Sequence, residues 1–421
     1  MNAQTVAPGA SWRRRFFVLW TAQALSLLSS SLVGFALVWW LTMTTGSATT
    51  LATGVLAGML PQLLLGPIAG VLVDRHSRRF IMAAADLGTA AATAILAWLF
   101  VTGTVQPWHV YVLMALRSVG FAFHYPAMLA STTLMVPQEE LSRIAGLNQA
   151  LSGATSIGAP VLGALLVALL PMQGVMALDV IGAGIAVAAL ALIRVPNPPA
   201  HPAEARRASM AAELREGLRF VLNWRGLAIV MGLSIVLNFT LSPGVSLMPL
   251  LVTQHFGGAA REMALFEAVW GIGMIAGGLG LAAWGGFRKK MFTSMVGLLG
   301  MAVAYTLCGV APASALPLAL FGYLLGGAAN PFTNGPMQAV VLSAIPAEMQ
   351  GRVMALLGSI SMVVSPLSMA VAGPLADVFG VRFWLLLGGI CSLAAAIVVL
   401  TVPAVRDMEA EAARRKLSAD R

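Results

Sequence analysis

The chain has 421 residues, 59% of them hydrophobic and only 10% charged, and its mean hydropathy is +0.86. About a quarter of the residues in a soluble globule are charged, so this composition excludes one and points to an integral membrane protein. The net charge of +9 is scattered over short loops instead of forming a patch, which excludes nucleic acid as a partner.

Twelve apolar runs are long enough to cross about 30 Å of hydrocarbon at about 1.5 Å per helical residue. They are Phe16–Leu41, Thr49–Val73, Phe80–Val101, Trp108–Leu129, Arg143–Ala168, Met172–Arg194, Gly226–Val252, Glu262–Trp284, Lys290–Ala311, Leu316–Met337, Arg352–Asp377 and Arg382–Pro403. The runs are continuous rather than alternating, so they predict helices and exclude a barrel, the other structure that satisfies its backbone in lipid. The first follows Trp12-Arg-Arg-Arg15, is too long for a signal core and has no small-residue cleavage site, so no cleavable leader is expected. Lys and Arg collect on alternate loops, with Arg261 and Arg382 as exceptions. That bias predicts both termini on the cytoplasmic side of the cell (plasma or inner) membrane.

The second run ends in Gly70-Val-Leu-Val-Asp74-Arg75-His-Ser77-Arg78-Arg79, a charged turn between two spans. This resembles the Gly-x-x-x-Asp-Arg-x-Gly-Arg-Arg/Lys loop between helices two and three of major facilitator superfamily transporters, with Ser77 where glycine is usual. The stretch returns about half a chain later as Gly280-Leu-Ala-Ala-Trp284-Gly-Gly-Phe-Arg288-Lys289. Pro137-x-Glu139-x-x-x-Arg143 likewise returns as Pro346-x-Glu348-x-x-x-Arg352 at nearly the same spacing. A duplicated architecture follows: an all-α membrane protein of twelve transmembrane helices in two six-helix pseudo-symmetric bundles. Predicted boundaries are 1–194 and 226–404, joined by a cytoplasmic linker over 195–225 and followed by a tail over 405–421. The linker opens on Val195-Pro-Asn-Pro-Pro, which cannot continue a helix. It then carries an amphipathic segment, Glu204–Asn223, suited to the membrane surface.

The fourth span holds Arg117-Ser-Val-Gly120-Phe121-Ala-Phe123-His124. An arginine near the bilayer centre costs roughly 2.5–3.5 kcal/mol on insertion scales, so Arg117 is expected to face the bundle interior with a partner. This segment is similar to the corresponding helix of macrolide-efflux exporters in the superfamily, as are Phe35-Ala-Leu-Val-Trp39-Trp40 and Leu60-Pro61-Gln62 with Gly66-Pro67. The superfamily spacing there is Arg-x-x-x-Gly, one residue longer than Arg117 to Gly120. The resemblance implies a proton-relay role for Arg117, against which stands a structural salt bridge. Gly158-Ala159-Pro160-Val-Leu-Gly163-Ala164 is similar to the superfamily's antiporter motif, and by itself reads as a kink packed on a neighbour. Gly271, Gly273, Gly277, Gly278 and Gly280 predict a helix-packing seam.

Acidic residues within spans are few: Asp86, Asp179 and Glu267, with Asp74 and Asp377 assigned to cytoplasmic ends. A proton-coupled carrier needs a carboxylate that changes charge through its cycle, and Glu267, in a segment similar to macrolide exporters, is the first candidate. Asp179, Asp86 and Arg117 complete the proton-coupling set. Gating is expected at Gly70, Asp74, Arg75, Arg78, Arg79, Arg352 and Asp377. Candidate substrate contacts are Gln23, Trp39, Phe121, Phe123, Asn148, Asn238, Phe239, Met248, Asn330 and Asn334, with Gln149 a further polar candidate for the lining, although such polar groups also serve as interhelical hydrogen bonds. Cys308, Cys391 and the five histidines show no metal-binding spacing, and no nucleophile and base pair emerges. A monomeric transporter is expected, with no cofactor, no metal and no enzymatic activity. The resemblance implies proton-coupled export of amphiphilic drug-like compounds by alternating access. Export of one natural product such as a siderophore, or a transport-inactive sensor or scaffold, are the alternatives, the short tail arguing against a receptor.

Overall fold

A computed structural model describes residues 12–193, 195, 215–345, 347–411 and 414. Twelve long helices account for most of them. They are α1 (Trp12–Thr45), α2 (Ala48–Arg75), α3 (Arg78–Val101), α4 (Pro107–Met135), α5 (Leu141–Leu169), α6 (Met172–Leu192), α7 (Arg225–Ser246), α8 (Ala260–Trp284), α9 (Lys290–Val310), α10 (Leu316–Ala344), α11 (Ala347–Phe379) and α12 (Val381–Thr401). Eleven are long and apolar enough to span a membrane. The other, α10, has the length but carries Asn330, Thr333, Asn334 and Gln338 among its apolar residues. No strand occurs among the described residues. Outward-facing positions such as Leu64, Ile95, Leu192 and Ile390 are exposed and apolar, the surface of a protein solvated by lipid. Of the predicted amphipathic segment 215–223 is described, helical over 215–222 and turning at Asn223.

The chain divides into two compact units. The first comprises Met1–Thr45 with Thr53–Pro202, and the second Gly46–Ala52 with Ala203–Arg421. In the first, α3 packs on α4 and α6, and α1 on α5 and α6. In the second, α10 packs on α8 and α9, and α12 on α7 and α9.

The charged turn after α2 shows how serine replaces the usual glycine. Ser77 adopts an extended backbone and N-caps α3, its hydroxyl accepting from the Phe80 amide, which satisfies a helix-end donor that glycine would leave to water. Arg78 is buried and donates to the Ala130 carbonyl of α4 at 2.8 Å, and Arg79 donates to Ala191 of α6 at 2.8 Å. Both therefore anchor the turn to helix ends of their own unit, where cations favour exposed carbonyls. Arg75 is exposed and Gly70 has open space beside it. The side chains of Asp74 and Arg352 lie outside the described residues. At the duplicate position α8 ends differently: Gly285, at φ 79°, closes the helix by donating to the Leu281 carbonyl at 2.7 Å.

The cytoplasmic assignment of Asp377 is corrected. Its carboxylate accepts from the backbone amides of Ala48 (2.6 Å) and Thr49 (3.0 Å) and from the Ser47 hydroxyl (3.1 Å), so it caps the start of α2. Asp74 lies at the other end of that helix, about 40 Å away at 1.5 Å per residue. Successive spans reverse direction, so an eleventh span ends on the face where the second begins. Asp377 and Asp74 therefore belong to opposite faces.

Candidate functional site

Three helices of the first unit present polar side chains seven residues apart: Gln23 and Ser30 on α1, Asp86 and Thr93 on α3, Arg117 and His124 on α4. Seven residues are two helical turns, so each pair projects from one helix face about 10.5 Å apart. Because α4 runs against α1 and α3, the six side chains assemble as two layers. No short motif records this, but polar residues recurring at a two-turn spacing in three otherwise apolar spans were its available signal.

One layer gathers Ser30, Thr93, Arg117 and, from α6, Asp179. The Asp179 side chain is only 1% exposed and its carboxylate accepts from the Arg117 guanidinium, from Ser30 (2.7 Å) and from Thr93 (3.0 Å). Arg117 further donates to the Ser30 carbonyl (2.7 Å) and to the Thr93 hydroxyl (3.0 Å). Gly182, one turn after Asp179, lets α6 approach α1 so closely that a Cβ would collide with the Ser29 hydroxyl. Every charge here is paired and hydrogen-bonded, which offsets the cost of burying it. Arg117 thus has the interior partner expected of it, and Asp179 holds a cation within the unit, not a helix-end position.

The second layer is Gln23, Asp86 and His124. Gln23 Nε2 donates to Asp86 Oδ2 (3.2 Å), His124 Nε2 lies 3.4 Å from Asp86 Oδ1, and the same nitrogen is 2.9 Å from Gln23 Oε1. Asp86 therefore pairs inside the spans and not with a basic loop. His124, absent from the predicted site, completes the ring.

Both layers border an open cavity of about 510 Å³ lined by residues of α1–α6. It brings together Gln23, Asp86, Arg117, Phe121, Asn148 and Gln149, all singled out by sequence, and adds Trp20 and Tyr125. Trp20 Nε1 donates to Asn148 Oδ1 at 2.8 Å, and the Phe121 and Tyr125 rings stack 5.5 Å apart. Trp39 is buried in the core and Phe123 half-buried, and neither lines the cavity.

The remaining predicted residues belong to the second unit. Met248 is fully buried, in an irregular stretch after α7 that winds as a π-turn over Leu251–His255, so its thioether is core packing. Asn238 and Asn334 are exposed, donating to carbonyls one turn back at Ser234 and Asn330, and Phe239 packs near Trp384. The predicted glycine seam is real but narrower: a Cβ at Gly273 or Gly277 of α8 would strike α10 backbone, whereas Gly278 and Gly280 have open space.

Glu267 stands on α8 between the aromatic residues Phe266 and Trp270, both packed on Tyr323 of α10. It is half-buried and, among the described residues, makes no hydrogen bond or ion pair. An unpaired carboxylate in a span contrasts with Asp86 and Asp179 of the first unit, both of which are paired.

Residues 19–369 match the Major Facilitator Superfamily profile. The chain is 32% identical to macrolide efflux protein A of Streptococcus pyogenes over 399 residues, 95% of this chain and 98% of that one. It is 28% identical to the multidrug efflux pump Tap of Mycolicibacterium fortuitum, covering 89% and 92%. Among solved structures, a bacterial homologue of the iron transporter ferroportin superposes with a TM-score of 0.68 at 15% identity, over 92% of this chain and 98% of that one. The D-xylose-proton symporter gives 0.65 at 15%, over 90% and 97%. At such identities these structures speak for the fold, twelve helices in two bundles. Profile and full-length relatives together establish that the chain belongs to the Major Facilitator Superfamily, and so to the multi-pass transporters of small molecules.

Proposed function

We propose that this protein is a proton-coupled exporter of amphiphilic drug-like compounds, macrolide-like or broader in range, working by alternating access in the cell membrane with both termini cytoplasmic. The observation that carries the reading is its near full-length similarity to a macrolide efflux protein and a multidrug efflux pump. The cavity supports it: mostly apolar walls with a few convergent charged and amide groups suit compounds that vary in shape but share an amphiphilic character. Among the carboxylates within spans, Glu267 is the coupling site, since a group without a resident partner can gain and lose a proton without dismantling a network. Asp74 and the 70–79 turn act in gating, and Asp74→Asn is expected to alter the cytoplasmic accessibility of introduced cysteines.

The test is a susceptibility panel in an efflux-deficient host, including macrolides, with and without a protonophore. Resistance to several amphiphilic compounds that collapses with the proton gradient is the expected result. Resistance that survives the protonophore removes proton coupling, and no change in susceptibility to any compound removes drug export.

A further inference from the structure

We propose that the ring of Asp86, His124 and Gln23 is the seat for a protonated amine on the transported compound, with His124 as the resident group that the incoming ammonium displaces. This rests on the drug-export reading and adds to it the ligand chemistry and the residues that select it.

The charges around the cavity lead to Asp86. Its ionisable lining residues are Asp86, Arg117, His124 and Tyr125. Arg117 is held by Asp179 in a network in which every member is satisfied, and it offers no attraction to a cation. Asp86 is the one carboxylate that lines the space, and its partners are of a different kind. Gln23 is neutral, and the imidazole of His124 reaches Oδ1 only at 3.4 Å, long against the roughly 2.7–2.9 Å of a charge-assisted hydrogen bond. The His124 Nε2 atom faces two acceptors, Asp86 Oδ1 and Gln23 Oε1, so it must be the protonated nitrogen. If His124 turns away, two acceptors converge on the space it leaves. An ammonium N–H group has the donors to fill that space, whereas a neutral amide lacks the charge.

The walls specify the remainder of the ligand. Phe121 and Tyr125 stack on the face of α4 that carries His124, and Met128, Leu129 and Leu27 continue it as apolar surface. Aromatic rings beside a cation add further attraction. The recognised compound is therefore an apolar body bearing a basic amine.

A protonated imidazole competes with such an amine for Asp86, and a neutral one does not. The groups facing His124 are Asp86 from α3 and Gln23 from α1. On its own helix the neighbours are Tyr125 and, two turns away, the Asp179-bound Arg117. A permanent cation at position 124 is thus expected to exclude the amine from Asp86.

Purified full-length protein in detergent can be titrated with dansylcadaverine, a fluorescent amphiphile with a primary amine, and with its uncharged N-acetyl derivative. Wild type is expected to prefer the amine. Asp86→Asn is expected to weaken amine binding by about tenfold or more, the scale of a lost hydrogen bond to a charged group, and so to remove the preference. His124→Lys, which installs a permanent cation while keeping the carboxylate, is expected to remove it as well. His124→Gln, which removes the competing imidazole and adds no charge, is expected to keep it. A preference retained by Asp86→Asn or His124→Lys, or a wild type that binds both probes alike, overturns the amine seat and leaves drug export standing. A wild type that binds neither probe overturns the drug-export reading itself.

Discussion

The two units of this protein handle burial in opposite ways. In the first, close approaches are made by side chains and polar groups are buried among apolar ones: glycines that could clash meet Ser29, Thr89, Leu41 or Phe35 side chains, and two layers of charged and amide groups border a cavity. In the second, several helices also meet backbone to backbone: a Cβ at Gly273, Gly277, Gly297 or Gly327 would strike main-chain atoms of a neighbour, while Gly309, Gly388 and Gly389 meet side chains, and the charged group singled out within the spans stands unpaired. Side chains can rearrange at modest cost, whereas backbone contacts cannot be relieved without moving a helix. The glycine contacts of the first unit can therefore adjust through side chains, whereas these contacts of the second fix helix against helix.

The contrast breaks first at Arg117. Arg117→Met leaves Asp179 charged, buried and unpaired, a loss of about 3–5 kcal/mol, and is expected to abolish folded yield on gel filtration. Arg117→Met combined with Asp179→Leu removes both charges and is expected to restore it. A single mutant that folds normally means the pair is not what holds α4 to α6. Glu267→Gln is the counterpart in the second unit. It is expected to leave yield and thermal stability unchanged but to eliminate gradient-driven export in proteoliposomes, more for cationic than for neutral substrates. Full transport by this variant removes Glu267 from coupling.

Smaller effects sharpen the packing half of the contrast. Gly277→Ala is expected to lower the melting temperature, overpacking costing roughly 1–3 kcal/mol. Gly278→Ala, next in the same helix with open space beside it, is expected to be neutral or slightly stabilising. Equal effects at the two positions would mean that the backbone contact carries no strain.

The smallest effect lies at the surface. Asp407 is held below the ordinary carboxylate value of 3.8, first by the hydrogen bond from Lys289 at 2.9 Å and then by Arg406. A depressed carboxylate contributes stability above its unfolded value, and that contribution is lost as pH falls through the folded one. Asp407→Asn is therefore expected to be slightly less stable than wild type at neutral pH and equal to it in strong acid, and salt is expected to shrink the difference.

Span number, span limits and the duplication were legible because lipid imposes a length and a composition on every crossing segment. The observed helices differ from the predicted ones mainly at their ends: α10 continues to Ala344, whereas α7 stops at Ser246, short of the predicted Val252. Pairing was not legible. Arg117 announced by its cost that it needed a partner, but Asp179 lies 62 residues away on a helix chosen by packing. His124 escaped notice because a single histidine has no motif, and its role depends on which helices bring Asp86 and Gln23 to it. Asp377 was assigned to the wrong face although the alternation of spans alone determines the right one. Trp39 and Met248 look like ligand contacts by residue type, yet the same apolar side chains fill cores, and only burial separates the two uses.

Gly34 lines the cavity with nothing within 4 Å of where a Cβ would stand. A change to alanine there reshapes the cavity wall while its added carbon meets no packed neighbour. On the proposed drug-export reading, a lineage carrying this protein is expected to alter its resistance spectrum through single substitutions at such positions. The seam of the second unit has no such latitude, since a side chain added at Gly273 or Gly277 is met by main chain. Resistance variants isolated by serial passage should accordingly accumulate around the first cavity and leave the seam glycines untouched.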